Sequence, residues 1–370
     1  MKIVAHREAL DSAFQLAAMV APARSPKPLF NNVKVEATKE GVVLSATDGD
    51  LRIRVEVPGT EVELPGSILV PASRFANILR ESSDDKLLIE STSRGTDIRG
   101  EHSKISLSSE DPGEFPVVPA FRDEKYHTLS ERLLRELVRR TEFATDNESS
   151  RYALGGVLLE MGPDKITAVA TDGRRLAKME GPAQSIGGHQ TGDTTTIVRT
   201  RAVNLIGRIV GDSDAEVRLA ARGNDVVLVS NRATLYSQLV EGRFPKWRDV
   251  FPSRREARRI ELTVAPTYAA LRQASIVASD ESRGIDCAFE DGLLVLTAST
   301  PEVGQSRVEL PVAYEGSSVA IKLDHRFLAD FLRVLDPEKS FTMEVADAEA
   351  AALFTTDDGY GYVIMPLARE

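Results

Sequence analysis

Two aspartates, Asp48 and Asp172, stand in nearly identical surroundings and come closest to a reactive pair. The first lies in residues 46–53 (ATDGDLRI) and the second in residues 170–177 (ATDGRRLA), about 124 positions later. Two carboxylates can act together as a general acid and a general base. Each aspartate precedes a glycine, however, and an Asp-Gly pair tolerates the positive φ of a tight turn. A structural turn explains both better, and an enzyme that uses Asp48 or Asp172 remains only an alternative.

No other group of residues has the spacing of a catalytic or metal site. The histidines are scattered along the chain, and phosphate-binding glycine loops and the G-x-S-x-G elbow are absent. The single cysteine, Cys287, excludes an intramolecular disulfide and fits a buried core thiol. We therefore expect a non-catalytic protein with no metal and no cofactor.

The two octets belong to a longer internal repeat, which sets the domain organisation. Three segments, residues 1–125, 126–252 and 253–370, repeat one order of elements. Helical spacing of apolar residues predicts a pair of helices in each segment: 7–20 with 73–80, 130–143 with 202–210, and 266–277 with 325–335. Alternating runs such as 51–57 predict half-buried strands between them. We expect three α+β domains built mainly from antiparallel strands.

Other features mark the ends and connections of these segments. Phe115-Pro116 recurs as Phe244-Pro245 about 129 residues later, close to the end of each of the first two segments. A stretch rich in Gly, Gln and Ser, residues 181–193, is typical of a flexible loop. The last segment closes with an apolar strand over residues 362–367.

Arginines recur along the predicted helices at steps of three and four, which places them on one line of the helix surface. They are Arg132, Arg135 and Arg139; Arg201 and Arg208, with Asn204 between them; Arg326 and Arg333, which flank Asp330; and, less regularly, Arg74 and Arg80. If these faces converge, they form a positive lining that meets phosphates without reading bases. The alternative is an ordinary solvated helix face.

The whole protein is acidic, with a net charge of −10 and a pI near 5.3. Proteins that bind DNA tightly by releasing counterions are basic, so the overall balance argues against that mode of binding. No apolar run approaches the roughly 20 residues of a membrane span. The N-terminal residues also lack the apolar core of a signal peptide. We therefore expect a cytoplasmic protein.

Several motifs together resemble the bacterial DNA polymerase III beta subunit, the sliding clamp, over the whole chain. They are Arg151-Tyr152-Ala153-Leu154-Gly155-Gly156-Val157, the second octet, Arg243-Phe244-Pro245 with Val250-Phe251-Pro252, and Tyr362-Val363-Ile364-Met365-Pro366-Leu367. The resemblance implies three clamp domains per chain and a head-to-tail homodimer that closes into a ring. It also implies that double-stranded DNA threads the ring without sequence specificity, and that the protein confers processivity in DNA replication without catalysing a reaction.

The resemblance further implies a pocket that binds short linear motifs of the replicative polymerase alpha subunit, the clamp loader and repair polymerases. Its expected residues are Leu154, Thr171, Gly173, Arg174, Arg175, Leu176, Pro245, Val250, Val363, Ile364, Met365, Pro366 and Leu367. Aliphatic side chains and prolines would accept an inserted Leu or Phe, and Arg175 would orient the peptide. Arg174 stands where a histidine is frequent and Asp249 where a basic residue is common.

Contacts with DNA and with the second subunit follow from the same resemblance. Arg24, Tyr152 and Arg201 fall where such clamps place residues near the duplex. The expected subunit interface joins domain one of one chain to domain three of the other through Arg74, Leu107, Ile276 and Val277. Plain core packing is an equal alternative for the apolar ones. A triplicated protein-binding scaffold that does not encircle DNA is the alternative function.

Overall fold

The computed structural model of this chain describes residues 1–93, 95–146, 148, 153–192, 195–251, 257–279, 283–301 and 303–368. Every strand pairing within these residues is antiparallel. Within the same ranges, no helix is long and apolar enough to cross a membrane.

The elements follow the repeat that the sequence predicts. The first segment contains β1 (Lys2–His6), α1 (Arg7–Ala18), β2 (Asn32–Thr38), β3 (Gly41–Thr47), β4 (Leu51–Val57), β5 (Thr60–Leu64), β6 (Gly66–Pro71), α2 (Ala72–Glu81), β7 (Lys86–Thr92), β8 (Gly95–Arg99) and β9 (Lys104–Leu107). The second contains β10 (Tyr126–Ser130), α3 (Glu131–Arg139), β11 (Gly156–Met161), β12 (Lys165–Thr171), β13 (Arg175–Pro182), β14 (Gln184–Ile186), β15 (Ile197–Arg199), α4 (Thr200–Ile209), β16 (Glu216–Ala221), β17 (Asp225–Val229), β18 (Ala233–Gln238) and α5 (Trp247–Val250). The third contains β19 (Arg258–Thr263), α6 (Val264–Ala274), β20 (Gly284–Glu290), β21 (Leu293–Thr300), β22 (Gly304–Pro311), β23 (Val319–Asp324), α7 (His325–Arg333), β24 (Ser340–Val345), β25 (Ala352–Thr355) and β26 (Tyr360–Ile364).

Each helix predicted from the sequence is present, with several differences at the ends. The short strands β1 and β10, which run directly into α1 and α3, were not predicted, and the short helix α5 adds a third helix to the second segment. The stretch 181–193 is more ordered than its composition indicates, since it contains the end of β13 and the strand β14. The last strand ends at Ile364, so Met365 to Leu367 lie beyond it.

The chain divides into two compact units, and the first comprises Met1–Arg135, Gln184–Gln190 and Asn204–Leu239. It holds a five-stranded sheet, β5-β1-β7-β8-β9, and a nine-stranded sheet, β14-β10-β16-β17-β18-β4-β3-β2-β6. Helix α1 packs against α2 and against β3 and β4, and Phe14 meets Phe75 at 4.8 Å between ring centroids. This apolar layer forms the core between helices and sheet.

The second unit comprises Glu136–Ala183, Thr191–Val203 and Val240–Glu370. It holds an eight-stranded sheet, β15-β11-β12-β13-β26-β25-β24-β19, and a four-stranded sheet, β22-β21-β20-β23. Helix α6 packs against α7, β21 and β22. Phe331 of α7 is fully buried against Phe341, Phe354, Tyr360 and Tyr362 of the sheet.

Each sheet that combines two segments does so through one strand pair. We call the β4–β18 pairing the first seam and the β13–β26 pairing the second seam. In both, the last strand of a segment pairs with the strand that follows the Asp-Gly turn of the preceding segment. The last strand of the first segment is β9, and the third-segment equivalent of β4 and β13 is β22. Neither forms a seam, and each lies at the edge of its sheet.

One carboxylate ties the edge strand β9 to its neighbour. Asp97 of β8 accepts hydrogen bonds from Ser106 Oγ at 2.7 Å and from Arg99 Nη2 at 3.2 Å, and its carboxylate lies 3.0 Å from Lys104 Nζ. The hydrogen bond from Ser106, together with those from Lys104 and Arg99, lowers the pKa of the Asp97 carboxyl to about 2. The ionised form is therefore favoured in the folded chain.

We predict that Asp97→Asn loosens β9, because the neutral amide loses the charge-assisted bonds. Hydrogen exchange at neutral pH should show faster exchange of the Lys104–Leu107 amides and unchanged protection of β7. In the wild type the folded-state pKa of Asp97 lies below its ordinary value of 3.8. Its contribution is therefore present above about pH 4 and falls away toward about pH 2. Glu101→Gln, in the adjoining turn, is the control; equal β9 protection in both variants would contradict this role.

Candidate functional site

The two Asp-Gly turns have the same geometry, and each uses its aspartate for the turn itself. Asp48 Oδ1 accepts hydrogen bonds from the backbone N–H groups of Asp50 and Leu51, at 3.0 and 2.7 Å. Asp172 Oδ1 accepts the corresponding bonds from Arg174 and Arg175, both at 2.9 Å. Gly49 and Gly173 have φ of 105° and 86°, values that glycine adopts readily. These contacts support a structural role and weigh against a catalytic pair.

The second turn differs from the first in the side chain of Arg175, which is only 10% exposed. Its Nη1 donates to Asp330 Oδ2 at 2.6 Å, and its Nε donates to Asp172 Oδ2 at 3.0 Å. Its Nη2 donates to the carbonyl oxygen of Phe143 at 2.6 Å. The guanidinium also lies over the ring of Phe327, at 4.5 Å from the centroid.

The contacts of Arg175 show what the side chain does within the chain itself. Burial by itself lowers the pKa of the guanidinium, whereas Tyr362, Asp330 and Asp172 raise it, and the net pKa is raised. The group stays charged, and protein partners occupy all three of its nitrogens. Arg175 therefore joins the Asp-Gly turn to Asp330 and to the backbone at Phe143.

An apolar cluster lies beside this turn and brings together three of the predicted pocket residues. Leu154, Leu176 and Val363 are buried in it. The cluster also contains residues that were not predicted for the pocket: Ala153, Leu158, Val169, Ile197, Phe244, Trp247 and Leu353, with Val240, Phe251 and Ala351 packed against it. Phe244, Trp247 and Phe251 lie within or next to the Phe-Pro motifs, and this was the signal available for finding them.

Two exposed apolar side chains flank the residues of the cluster in sequence. Val250 of α5 and Met365 are each 44% exposed. The Met365 N–H donates to the carbonyl oxygen of Arg174 at 2.9 Å, which holds the segment after β26 against the turn. Of the other predicted residues, Gly173 and Arg174 are exposed, whereas Pro245, Pro366 and Leu367 are half-buried.

Two predicted pocket residues, Thr171 and Ile364, lie outside the apolar cluster. The Thr171 hydroxyl donates to the carbonyl oxygen of Arg175 at 2.6 Å and accepts from the N–H of Gly173 at 3.1 Å, so it serves the turn. Ile364 is fully buried and is not a member of the apolar cluster. Side chains alternate between the faces of a strand, which puts Ile364 on the face opposite Val363.

Trp247 is fixed by polar groups at the edge of the cluster. Its indole N–H donates to Glu160 Oε1 at 3.2 Å. Arg248 donates to both oxygens of the same carboxylate, at 3.0 and 2.6 Å, and its guanidinium lies 4.3 Å from the indole ring. Phe251 meets the indole edge-on at 6.3 Å. Such contacts restrict an aromatic side chain that is 8% exposed.

The first seam carries a smaller cluster in the corresponding place. Val118, Val227 and Tyr236 are buried there, with Phe121 and Val229 packed against them. By strand register Tyr236 is the counterpart of Val363, since the two residues lie opposite Arg52 and Leu176. The Tyr236 hydroxyl donates to the carbonyl oxygen of Pro119 at 2.9 Å. A large ring thus fills the position that a small side chain has at the second seam.

The arginines on the helix faces are partly neutralised by acidic neighbours. Ion pairs link Arg132 to Asp212 and Asp214, Arg139 to Glu136, Arg326 to Asp324, Arg333 to Asp330, and Arg80 to Glu81. Arg24, Arg74, Arg135, Arg201 and Arg208 are also exposed on the surface. Tyr152, a predicted DNA contact, lies outside the described residues. The helix faces therefore carry a weaker positive charge than a count of their arginines indicates.

The predicted interface residues lie at or near sheet edges. Leu107 is half-buried on β9, where Ile105 is 40% exposed. Ile276 and Val277 form a 3₁₀ turn directly after α6 rather than part of that helix, and Ile276 is 75% exposed. Val303, which precedes β22, is 59% exposed. The sequence did not mark Ile105 and Val303 as exposed, and single apolar residues on a surface are common.

Cys287 of β20 is buried, and burial raises the pKa of its thiol to about 12. Among the described residues, no group of three or more His, Cys, Asp or Glu side chains has the geometry of a metal site.

Comparison with known proteins gives one consistent result. Family models of the DNA polymerase III beta subunit match residues 1–119 (N-terminal domain), 128–246 (central domain) and 248–368 (C-terminal domain). The beta sliding clamp of Pseudomonas putida is 29% identical over 99% of this chain and 100% of its own length. That of Vibrio cholerae is 27% identical over 99% of this chain and 100% of its own length.

Solved structures agree with this result. The DNA polymerase III subunit beta of Pseudomonas aeruginosa has a TM-score of 0.90 at 27% identity, with both chains fully covered. The sliding clamp of the same organism bound to griselimycin has a TM-score of 0.91, also at 27% identity and full coverage of both chains. The Bacillus subtilis sliding clamp shares the fold, with a TM-score of 0.92 at 21% identity over the full length of both chains. By these matches over nearly its whole length, the chain belongs to the DNA polymerase III beta subunit family, the beta sliding clamps.

Proposed function

We propose that this chain acts as the processivity clamp of DNA polymerase III, closing around double-stranded DNA as a homodimer and tethering partners through the apolar pocket. A sliding clamp of this family is a non-catalytic subunit, and a separate ATP-using loader places it on DNA. We assign residues 1–125, 126–252 and 253–370 to its three domains and place its activity in the cytoplasm, where DNA is replicated. The observation that carries the proposal is the repeated edge-to-edge pairing of strands.

The seams indicate how a second copy would join. In the first seam Leu51 lies opposite Ser237, and in the second Arg175 lies opposite Ile364. The strand registers of the three repeats make Gly304 of β22 the counterpart of Leu51 and Arg175. In the same way they make Leu107 of β9 the counterpart of Ser237 and Ile364. We therefore expect β9 of one chain to pair with β22 of the other, with Leu107 opposite Gly304.

The residues just after the first helix of each segment support the same joint. Met19, Phe143 and Ile276 each lie twelve positions after the start of α1, α3 or α6. At the second seam Phe143 packs against Tyr362 of β26, at 5.7 Å between ring centroids. At the first seam Met19 meets Arg208 of α4. Ile276 has no such cover within the described part of its own chain and is 75% exposed.

A largely apolar cavity lies between α2 and the strands β7 to β9, on the surface that would receive Ile276 of the second chain. It has a volume of about 340 Å³ and is lined by Asn77 and Ile78 of α2, Leu87, Ile98 and Ile105, among others. Ile276 of the second chain would bury its side chain in this cavity. Arg74, another predicted interface residue, lies on α2, which lines the cavity. A contact between different surfaces of identical chains closes into a ring when its rotation allows.

We predict that Ile276→Asp weakens the dimer, because a carboxylate cannot enter an apolar cavity without losing hydration. A buried apolar anchor contributes about 2 kcal/mol or more, so the dimer dissociation constant should rise by roughly 30-fold or more. Analytical ultracentrifugation across a concentration series measures this constant. Val117→Asp is the control, since Val117 is 79% exposed and belongs to neither edge. An unchanged constant for Ile276→Asp would refute the joint.

DNA retention then depends on ring topology rather than on tight binding. The net charge of −10 opposes strong attraction to phosphates, and many helix arginines already have acidic partners. Weakly positive faces that include Arg24 and Arg201 suit a protein that must move along the duplex. Tyr152 is the third expected DNA contact and lies outside the described residues. Dissociation then requires opening the ring or reaching a DNA end.

We predict that the loaded protein stays on nicked circular DNA and leaves when that DNA is cut. Gel filtration of labelled protein with plasmid, before and after a single restriction cut, measures retention. Linear DNA whose ends carry bound protein blocks is the control and should retain the clamp. Equal retention on circular and open linear DNA would favour a scaffold that does not encircle DNA.

The apolar cluster and its exposed neighbours are proposed as the partner site. Leu154, Leu176, Val363 and Trp247 would form an apolar floor, and Val250 and Met365 would cover an inserted Leu or Phe side chain. Arg174, Gly173, Pro245, Pro366 and Leu367 supply the surrounding surface. The partners are the replicative polymerase alpha subunit, the clamp loader and repair polymerases, each through a short linear motif.

We predict that Met365→Asp lowers affinity for a Leu/Phe-containing peptide by roughly 10-fold or more, because the apolar anchor meets a charge. Fluorescence anisotropy of a labelled peptide gives the affinity, and ultracentrifugation should show an unchanged dimer. Leu64→Asp is a matched control, as Leu64 is 57% exposed on β5. Full peptide affinity in Met365→Asp would remove Met365 from the site.

A further inference from the structure

Strand β26 presents different residues on its two faces. Val363 is buried in the pocket cluster, and the Phe251 ring lies so close over Gly361 that it leaves no space for a Cβ there. On the other face Tyr360 and Tyr362 stack on Phe331 of α7, with ring centroids 5.6 and 5.3 Å apart. Whatever fixes the tyrosine face therefore fixes the position of the pocket face.

One end of this strand is held by Arg175. Its ion pair with Asp330 and its hydrogen bond to the carbonyl oxygen of Phe143 lie beside Tyr362, whose hydroxyl is 3.5 Å from Arg175 Nη1. The Tyr362 hydroxyl donates in turn to the carbonyl oxygen of Phe327 at 3.1 Å.

The other end is held by a second buried arginine that is outside the pocket. Arg140, 10% exposed, pairs with both oxygens of Asp358, each at 2.8 Å. Its Nε donates to Glu136 Oε2 at 2.7 Å, and its guanidinium lies 5.2 Å from the centroid of the Tyr360 ring. Asp358 belongs to the turn between β25 and β26.

The charges of this pair support each other. Burial raises the pKa of Asp358, but hydrogen bonds from Arg140 and Thr356 outweigh it, and the pKa is lowered. Burial likewise opposes the charge on Arg140, whereas Asp358 and Glu136 raise its pKa. A bidentate pair of this kind also fixes geometry, because both N–H groups must point at both oxygens.

The first seam lacks both arginines. Counted from the starts of α1 and α3, the counterpart of Arg140 is Leu16, and by strand register the counterpart of Arg175 is Leu51. Both leucines are buried. Well-packed apolar residues often stabilise a fold as much as a buried ion pair does, so stability alone does not explain the arginines. What the second seam has in addition is the pocket.

We propose that Arg140 is a positioning residue for the peptide site, acting through Asp358 and Tyr360 on the far face of β26. With Arg175 at the opposite end, it holds the five residues of this strand so that Val363 and Met365 meet the bound peptide. The inference rests on the proposed peptide-binding function. The expected substitution effect is a loss of peptide affinity in a folded, dimeric protein.

The test compares Arg140→Met, Asp358→Asn and the double variant with Arg139→Met. Arg139 is the matched control, because it neighbours Arg140 and pairs with the same Glu136 but is 40% exposed. Anisotropy with a Leu/Phe-containing peptide should show an affinity loss of roughly 10-fold in Arg140→Met and Asp358→Asn. The double variant should lose no more than either single one, since the two residues act as a unit. Arg139→Met should bind like the wild type.

A second readout separates positioning from a general loss of stability. The methyl carbon of Met365 can be labelled with ¹³C, and its NMR signal can be assigned through Met365→Leu. Without peptide, the chemical shift of this signal should change in Arg140→Met and keep its wild-type value in Arg139→Met. Arg140→Lys keeps the charge but lacks the planar, bidentate donors of the guanidinium. It should therefore change the chemical shift of the Met365 methyl less than Arg140→Met does. Circular dichroism shows the temperatures at which each variant is folded, and all comparisons are made at those temperatures.

Wild-type affinity and an unmoved Met365 methyl in folded Arg140→Met would overturn the inference. If the wild type itself bound no such peptide, the proposed function would fail, and the methyl shift alone would decide whether Arg140 positions Met365. Should Arg140→Met fail to fold, Asp358→Asn gives the same comparison, since it removes only the charge of the partner.

Discussion

The pairing of one free strand edge with another is the constraint on which the rest of this structure depends. A sheet edge exposes unpaired N–H and C=O groups, and proteins must cover it or pair it. Here the last strand of the second segment pairs with the first segment, and the last strand of the third pairs with the second. The edge strands β9 and β22 remain, and pairing with a second copy of the chain can satisfy the backbone groups of both. Under the proposed assembly, the joint between chains would follow the same rule as the repetition within the chain.

The two seams share one strand pairing, but the residues at equivalent positions differ between them. Tyr236 is buried in the cluster of the first seam, whereas Val363 has the equivalent position in the second and is buried in the same cluster as Trp247. Arg175 stands at the position of Leu51, and its partners are Asp172, the carbonyl oxygen of Phe143 and, in the third segment, Asp330 of α7. A shared turn geometry is preserved while the surface beside it changes. The pocket is a local departure from a repeated plan.

Much of the fold followed from the sequence because the signals were local. Helical spacing, alternating strands and the repeated Asp-Gly turns predicted the order of elements in all three segments. The strands β1 and β10 were missed because each runs without a break into a helix, and α5 is only four residues long. The stretch 181–193 was interpreted as a loop from its composition, although β13 continues to Pro182 and β14 pairs with β10.

The site was less predictable because its contacts are distant in sequence. Motifs identified Leu154, Leu176 and Val363, but the partners of Arg175 include Asp330, which lies 155 positions away. Nothing in the octet indicates that this arginine is buried. In the same way Asp212 and Asp214 reduce the positive charge of the α3 face, and their pairing with Arg132 cannot be read from a helical wheel.

Trp247 has a practical consequence for experiments on this protein. It is the only tryptophan in the chain, and it lies in the apolar cluster beside Phe251 and Arg248. Indole emission responds to local polarity and to nearby charges. The intrinsic fluorescence of the unlabelled protein therefore arises from this one location. Its wavelength and its quenching by small solutes would report whether the proposed peptide site is occupied.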